Sequence, residues 1–257
     1  MSNLDILNSS LALLVPFMLV LCRVVGAVAL LPGIGETESP VVLRGGIVTA
    51  IAVLLTPALA PLYKATPDHF ILFSRLVAGE LLIGLMIGWL ARTASLALPM
   101  AGQVISLMTG LSSVLQPDPD LGAQSAVVGR LFGMAVPVLM LTSGLYELPL
   151  MALSRSYAVL PPGGPLPSGD VLQTVITGFS GAMMVALQLA APFILINMVW
   201  QVGLGLLARL VPQLQIYFAS LPGQILGGLA MLAWLASLCT EHAIDAMRTA
   251  FLALPGG

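Results

Sequence analysis

The sequence predicts an all-α polytopic membrane protein, and three observations carry that prediction. Of its 257 residues, 58% are hydrophobic and only 8% charged, with a mean hydropathy of +1.04. Soluble domains carry roughly 25% charged residues. Apolar runs long enough to cross a hydrocarbon core of about 30 Å recur along the chain. Between them lie short links rich in proline and glycine, such as Pro32–Pro40 and Pro161–Asp170. Lipid offers the backbone no hydrogen-bond partners, so runs of this kind must be helices.

The first helix is expected over Leu11–Leu31, with Asn8, Ser9 and Ser10 as N-cap candidates. No Lys or Arg precedes Arg23, so the run lacks a signal peptide's basic region and reads as a retained helix. Pro32, Gly33, Gly35 and Pro40 end it in a loop that carries Glu36 and Glu38. Val41–Ala60 follows, closed by Pro57 and Pro61, and the link Tyr63–Asp68 holds the sole lysine, Lys64. Phe70–Leu98 is longer than one crossing needs, which calls for tilt or projection beyond the bilayer.

Pro99–Pro119 has a different character. It is apolar, yet Gly102, Gly110, Pro117 and Pro119 interrupt it, and Gln103, Ser106, Thr109, Ser112, Ser113 and Gln116 leave polar atoms along it. Such a segment is tolerated at membrane depth only when buried in protein or lining a cavity. After the link Asp118–Gln124, Ala126–Glu147 reads as a fourth span and Leu148–Ala158 as a short helix. Pro161–Asp170 is the richest Pro/Gly stretch and marks an internal boundary. Val171–Leu210 then forms one long helix with Pro192 as its kink. Pro212 turns the chain into Leu214–Ala236, and the tail Ser237–Gly257 stays helical until Pro255.

Several function classes fall away on inventory. A net charge of −2 with nine Lys and Arg leaves no basic patch for nucleic acid. Cys22, Cys239, His69 and His242 show no metal-ligand spacing, so neither a metal nor a cofactor is expected. Ser143-Gly144 is half of an intramembrane serine-protease motif, but no second span supplies a histidine base. No catalytic residues, and hence no enzyme, are expected. The thirteen methionines are scattered in the manner of core fillers.

The polar residues inside the spans are more informative, because a charge there costs on the order of 2.5–3.5 kcal/mol and needs a partner or water. Arg23 sits near the middle of the first helix. Glu80, Gly84, Gly88 and Arg92 recur every four residues in the third, one face drifting by about 40° per step. Gly84 and Gly88 form GxxxG, which admits a close backbone. Asn197, Gln201, Gly205 and Arg209 repeat the scheme, and Gly129/Gly133 and Gly223/Gly227 are further GxxxG pairs. The stripes fit contacts within the bundle, with Arg23 pairing Glu80, or contacts to other subunits, or an ion or proton pathway. A lone transporter or small-solute channel predicts an inverted repeat, which the sequence does not display.

Read together, these residues resemble the family of the flagellar biosynthetic protein FliR and its virulence type III secretion counterparts. The likeness runs from about Leu14 to Met231. It starts with Leu21-Cys22-Arg23-Val24 leading to Pro32, then Pro40 and Arg44. Gly79-Glu80-Leu81-Leu82-Ile83-Gly84 with Gly88 follows, then Ala101-Gly102-Gln103-Val104-Ile105 with Gly110-Leu111-Ser112, and Asp118-Pro119. Its most specific piece is Gly205-Leu206-Leu207-Ala208-Arg209-Leu210-Val211-Pro212-Gln213-Leu214-Gln215-Ile216, with Pro222 after it. Ala208 replaces a frequent Asn, Tyr217 a usual Phe, and Ser220-Leu221 a Gly-Phe pair.

The resemblance implies long, kinked helical hairpins within a helical hetero-oligomeric pore. Residues 1–160 would be a FliP-like portion, 161–170 a linker, and 171–257 a FliQ-like hairpin with a tail. The implied partners are FliP-like and FliQ-like subunits, FlhB- and FlhA-like export proteins, membrane lipid, and unfolded flagellar proteins as cargo. The implied place is the inner membrane at the flagellar basal body. The family's plug matches Gly110, Leu111, Ser112, Ser113, Val114, Leu115 and Gln116, with Gly110 and Pro117 as its base. Pro212, Gln213 and Leu214 match its turn motif, and Ala101–Thr109 would be a packed support.

Overall fold

The computed structural model describes residues 3–35, 40–63, 70–114, 127–164, 168–210 and 216–254. All regular structure among them is helical: α1 Asn3–Leu30, α2 Val41–Leu59 with a 3₁₀ turn Ala60–Leu62, α3 Phe70–Ser95, α4 Ala97–Met108, α5 Leu111–Val114, α6 Val127–Thr142, α7 Glu147–Val159, α8 Ser168–Leu210 and α9 Ile216–Leu252. Five of these segments are long and apolar enough to cross a membrane, or six when the bent pair α6–α7 counts as one crossing. The protein is an all-α polytopic membrane protein.

Five features of the helix boundaries differ from the sequence expectation. The first helix extends back to Asn3, so Asn8, Ser9 and Ser10 lie inside it and do not cap it. Propagating a helix across Leu4-Asp5-Ile6-Leu7 adds one bond per residue fixed, whereas a fresh start needs a costly nucleus. Pro57 does not close α2 but lies within it, as membrane helices tolerate. The boundary before the polar-spotted stretch falls at Leu96, and Pro99 occupies the first turn of α4, where helical N–H groups have no partner to lose. The fourth span ends at Thr142, and the chain turns through Gly144 (φ +70°) before α7. Beyond Ile216, the predicted hairpin arm and the tail are one helix that runs to Leu252.

The chain forms two compact units that alternate along the sequence: residues 1–94, 144–178 and 248–257 in the first, 95–143 and 179–247 in the second. In the first, α1 buries Val20, Val24, Ala27 and Val28, a 3.6-residue periodicity that makes one apolar face. That face packs with Val48 and Ala52 of α2, Ile83 and Ile87 of α3, and Leu153 and Tyr157 of α7. The Tyr146 hydroxyl donates to the Pro32 carbonyl at 2.8 Å, tying the start of α7 to the end of α1. In the second, Ile105 of α4, Val128 of α6 and Ala190 and Phe193 of α8 form the core, with Met231, Leu232 and Leu235 of α9 against it.

Gly102 does not break its helix. It sits in mid-α4, where an added Cβ would meet Gly129 Cα of α6 at 2.8 Å. Gly129 in turn faces the Pro99 carbonyl and Gln103, so paired glycines let α4 and α6 touch backbone to backbone. Ser106 Oγ, buried at this contact, accepts from the Val128 N–H at 3.2 Å.

Candidate functional site

Two polar clusters stand out, one in each unit. In the first, Arg23 and Glu80 are both buried, at 0% and 1% exposure, and pair in a bidentate fork. Arg23 Nε donates to Glu80 Oε2 at 2.6 Å and Nη2 to Oε1 at 3.1 Å. Nη1 donates to Ser156 Oγ and Nη2 to the Leu160 carbonyl, both at 3.1 Å. The guanidinium lies 3.8 Å from the ring centroid of Tyr157, a cation–π contact strengthened by desolvation. One arginine of α1 therefore ties α3, α7 and the start of the Pro161 loop. The hydroxyls of Tyr63 and Tyr157 are buried in the same core, and among the described residues neither has a partner in hydrogen-bond geometry. Burial pushes the Tyr63 phenol above its ordinary value, with the neighbouring Tyr157 and Glu80 adding to the shift, so it is neutral at any physiological pH.

The glycines of the α3 stripe serve this same packing. A Cβ at Gly84 would collide with the Arg23 carbonyl, and one at Gly88 with the Ala27 carbonyl. Conversely, a Cβ at Gly26 of α1 would lie 2.6 Å from the Leu81 carbonyl. The α1–α3 crossing is close because small residues face it from both helices, and that closeness brings Arg23 onto Glu80. Arg92, half-buried, stands in the last turn of α3.

The second cluster surrounds the end of α4. The helix stops at Met108, and the chain turns through Gly110 at φ +76° into the single turn α5. Glycine, which has no Cβ, enters that region without the strain an L side chain would meet. Thr109 is buried against Gly228, where a Cβ would lie 2.5 Å from the threonine Cγ2. The Gln224 amide Nε2 donates to the Met108 carbonyl at 2.9 Å and to Asn197 Oδ1 at 3.2 Å. Asn197 Nδ2 reaches Met108 Sδ at 3.3 Å. Leu111 packs against the Ile105–Phe193 core.

The two predicted stripes thus have different surroundings. Glu80, Gly84 and Gly88 are enclosed within the first unit, with Arg23 as their neighbour. In the second stripe Asn197 is the one residue engaged with the described residues. Gln201, Gly205 and Arg209 are exposed, and nothing among the described residues lies within 4 Å of a Cβ built at Gly205. Of the segment expected to be a plug, Gly110, Leu111 and Ser112 are described with their side chains and Ser113 and Val114 by backbone. Leu115, Gln116 and Pro117 lie outside the described residues, as does the turn Pro212, Gln213 and Leu214.

Sequence reasoning passed over Ser156, Tyr157 and Gln224. Ser156 and Tyr157 carry no signal in a short amphipathic helix. Gln224 did, as the only amide in the apolar run Leu221–Ala236, next to Gly223.

Residues 14–250, which take in both clusters, match the family described as bacterial export proteins, family 1. The chain belongs to that family. Flagellar biosynthetic protein FliR of Caulobacter vibrioides is 30% identical over 84% of this chain and 86% of its own length. FliR of Escherichia coli is also 30% identical, over 85% of this chain and 83% of its own. The Yop proteins translocation protein T of Yersinia pestis is 28% identical over 81% of each. Both the FliR relatives and the Yop proteins translocation protein T therefore align with most of this export-family chain.

Proposed function

We propose that this chain is a subunit of the flagellar type III protein export gate. It is a membrane component of a type III export apparatus, a role its family match and its long apolar helices support together. In this reading it joins FliP-like and FliQ-like subunits in a pore of the inner membrane at the basal body, next to FlhB- and FlhA-like proteins, and passes unfolded flagellar proteins. It catalyses no reaction. Residues 1–160 act as the FliP-like portion and 171–257 as the FliQ-like hairpin and tail. The exposed part of the second stripe, Gln201, Gly205 and Arg209, is a face for neighbouring subunits.

The observation that carries the gating role is the break at Gly110. A well-packed helix ends there in the middle of apolar structure, and the next residues are small or apolar. A pore for unfolded chains must be wide when open yet hold back ions when closed, and Leu111, Val114 and Leu115 can seal by dewetting. Gly110 and Pro117 form the base of this plug. A virulence-secretion gate is the second reading, favoured by the match to the Yersinia protein.

Co-expression with FliP-like and FliQ-like subunits, purification through a tag on this chain, and imaging test the assignment. A stable particle containing all three is expected, and a chain that purifies alone refutes it. Expression in a motile host lacking its own FliR separates the two systems, since restored swimming supports the flagellar one and restored secretion of virulence substrates alone the other.

A further inference from the structure

A helix that ends inside apolar surroundings leaves its last carbonyls without partners. At the end of α4 one of these, on Met108, is satisfied by a side chain from a helix more than a hundred residues away in sequence, the Gln224 amide. That amide has two N–H groups, and both are used: one on Met108, the other on Asn197 Oδ1. Asn197 closes the ring through Met108 Sδ. The ring sits two residues before Gly110, whose own nearest side chain is Gln224, 3.5 Å from a built Cβ. We propose that Gln224, seated by Asn197, is a positioning residue that latches the Gly110 turn and the α5 turn Leu111–Val114 onto α8 and α9 and so sets when that turn can leave the core.

Three features fit a latch better than a permanent weld. The ring is made of neutral amides, a carbonyl and a thioether, so opening it exposes no charge to the membrane interior. A cavity of about 80 Å³ adjoins it, lined by Met108, Asn197, Trp200, Gly223, Gln224 and Gly227. The Gln224 amide can turn into that space without displacing packed side chains. The hinge beyond it is glycine at positive φ, and the element it carries is one helical turn, too short to be stable by itself. Thr109, the residue before that glycine, packs on Gly228. The contrast with the first unit is direct: there the polar cluster is an enclosed charged fork, while here it is a weaker neutral ring beside free volume.

The consequence for ion retention rests on the plug reading of residues 110–116, and the experiment separates the two ideas. The full complex with its partner subunits carries Cys22→Ala and Cys239→Ala, plus Leu111→Cys as a probe, and is reconstituted in phosphatidylethanolamine–phosphatidylglycerol vesicles. Reaction with N-ethylmaleimide reports how often the hinge leaves the core, and potassium flux reports the seal. Gln224→Met keeps the side-chain length and removes both donors. It is expected to speed labelling at position 111 about tenfold, the scale set by losing two ordinary hydrogen bonds. Labelling of Ala101→Cys, buried in the same unit, stays slow. An unchanged rate at 111, or equal acceleration at both positions, overturns the latch. Faster labelling with a raised potassium leak supports both latch and plug. Faster labelling in vesicles that stay tight supports the latch and refutes the plug.

Discussion

Glu80→Leu removes the counter-ion of Arg23 while nearly keeping side-chain volume, so its effect isolates charge from cavity formation. In the native site Arg23 makes two of its four hydrogen bonds to Glu80, at 2.6 and 3.1 Å, and neither residue is exposed beyond 1%. The bonds to Ser156 and the Leu160 carbonyl survive the replacement, but they carry no compensating charge. Breaking a buried pair by removing one partner costs about 3–5 kcal/mol. Placing an unpaired charge at the centre of a membrane helix costs about 2.5–3.5 kcal/mol by insertion. The two scales meet near 3 kcal/mol. At about 2–4 °C per kcal/mol for a chain of this size, the thermal midpoint should fall by about 6–12 °C. Arg23→Met should cost a similar amount by stranding the carboxylate. The double replacement leaves two apolar chains that need no partner, so it should recover most of the loss. Thermal unfolding of the detergent-solubilised protein, followed through Trp89, Trp200 and Trp234, measures all four corners of this cycle. A single replacement within about 1 °C of wild type, or a double that loses the sum of the singles, refutes the view that this pair organises the first unit.

The two glycine stripes should separate by assay. Gly84→Ala drives a Cβ into the Arg23 carbonyl and should destabilise the isolated chain by about 1–3 kcal/mol, an overpacking cost. A Cβ at Gly205 meets nothing within 4 Å among the described residues, so Gly205→Leu should leave the isolated chain's melting curve in place while lowering recovery with FliP-like and FliQ-like partners; normal recovery argues against an intersubunit face. Deleting Leu111–Leu115 should leave the complex assembled and the membrane leaky to small ions, and an unchanged conductance removes the plug assignment. Arg209→Ala should reduce assembly more than Arg248→Ala, as read by co-purification, and equal effects count against a special role for the helix end that leads to the Pro212 turn.

The sequence by itself determined the class, the order of the helices and the family, because these depend on local quantities. Apolar length marks a span, proline and glycine mark links, and a string of short motifs keeps its order regardless of packing. It also singled out Arg23 and Glu80, since a charge inside a span is costly wherever the helix lies, and it offered their pairing as one option. What only the tertiary structure decided is which small and polar residues meet. Gly84 and Gly205 look alike in sequence, each in a stripe with a four-residue step, yet one is closed against α1 and the other is open. Gly102 and Gly110 look alike as interruptions, yet the first is a helix contact and the second a turn at positive φ. Asn197 and Gln224 are separated by 27 residues, and their meeting at Met108 follows from how α8 and α9 flank α4. Periodicity specifies the face of a helix on which a residue lies; the partner of that face is set by the packing of the whole chain, and a one-dimensional pattern does not contain it.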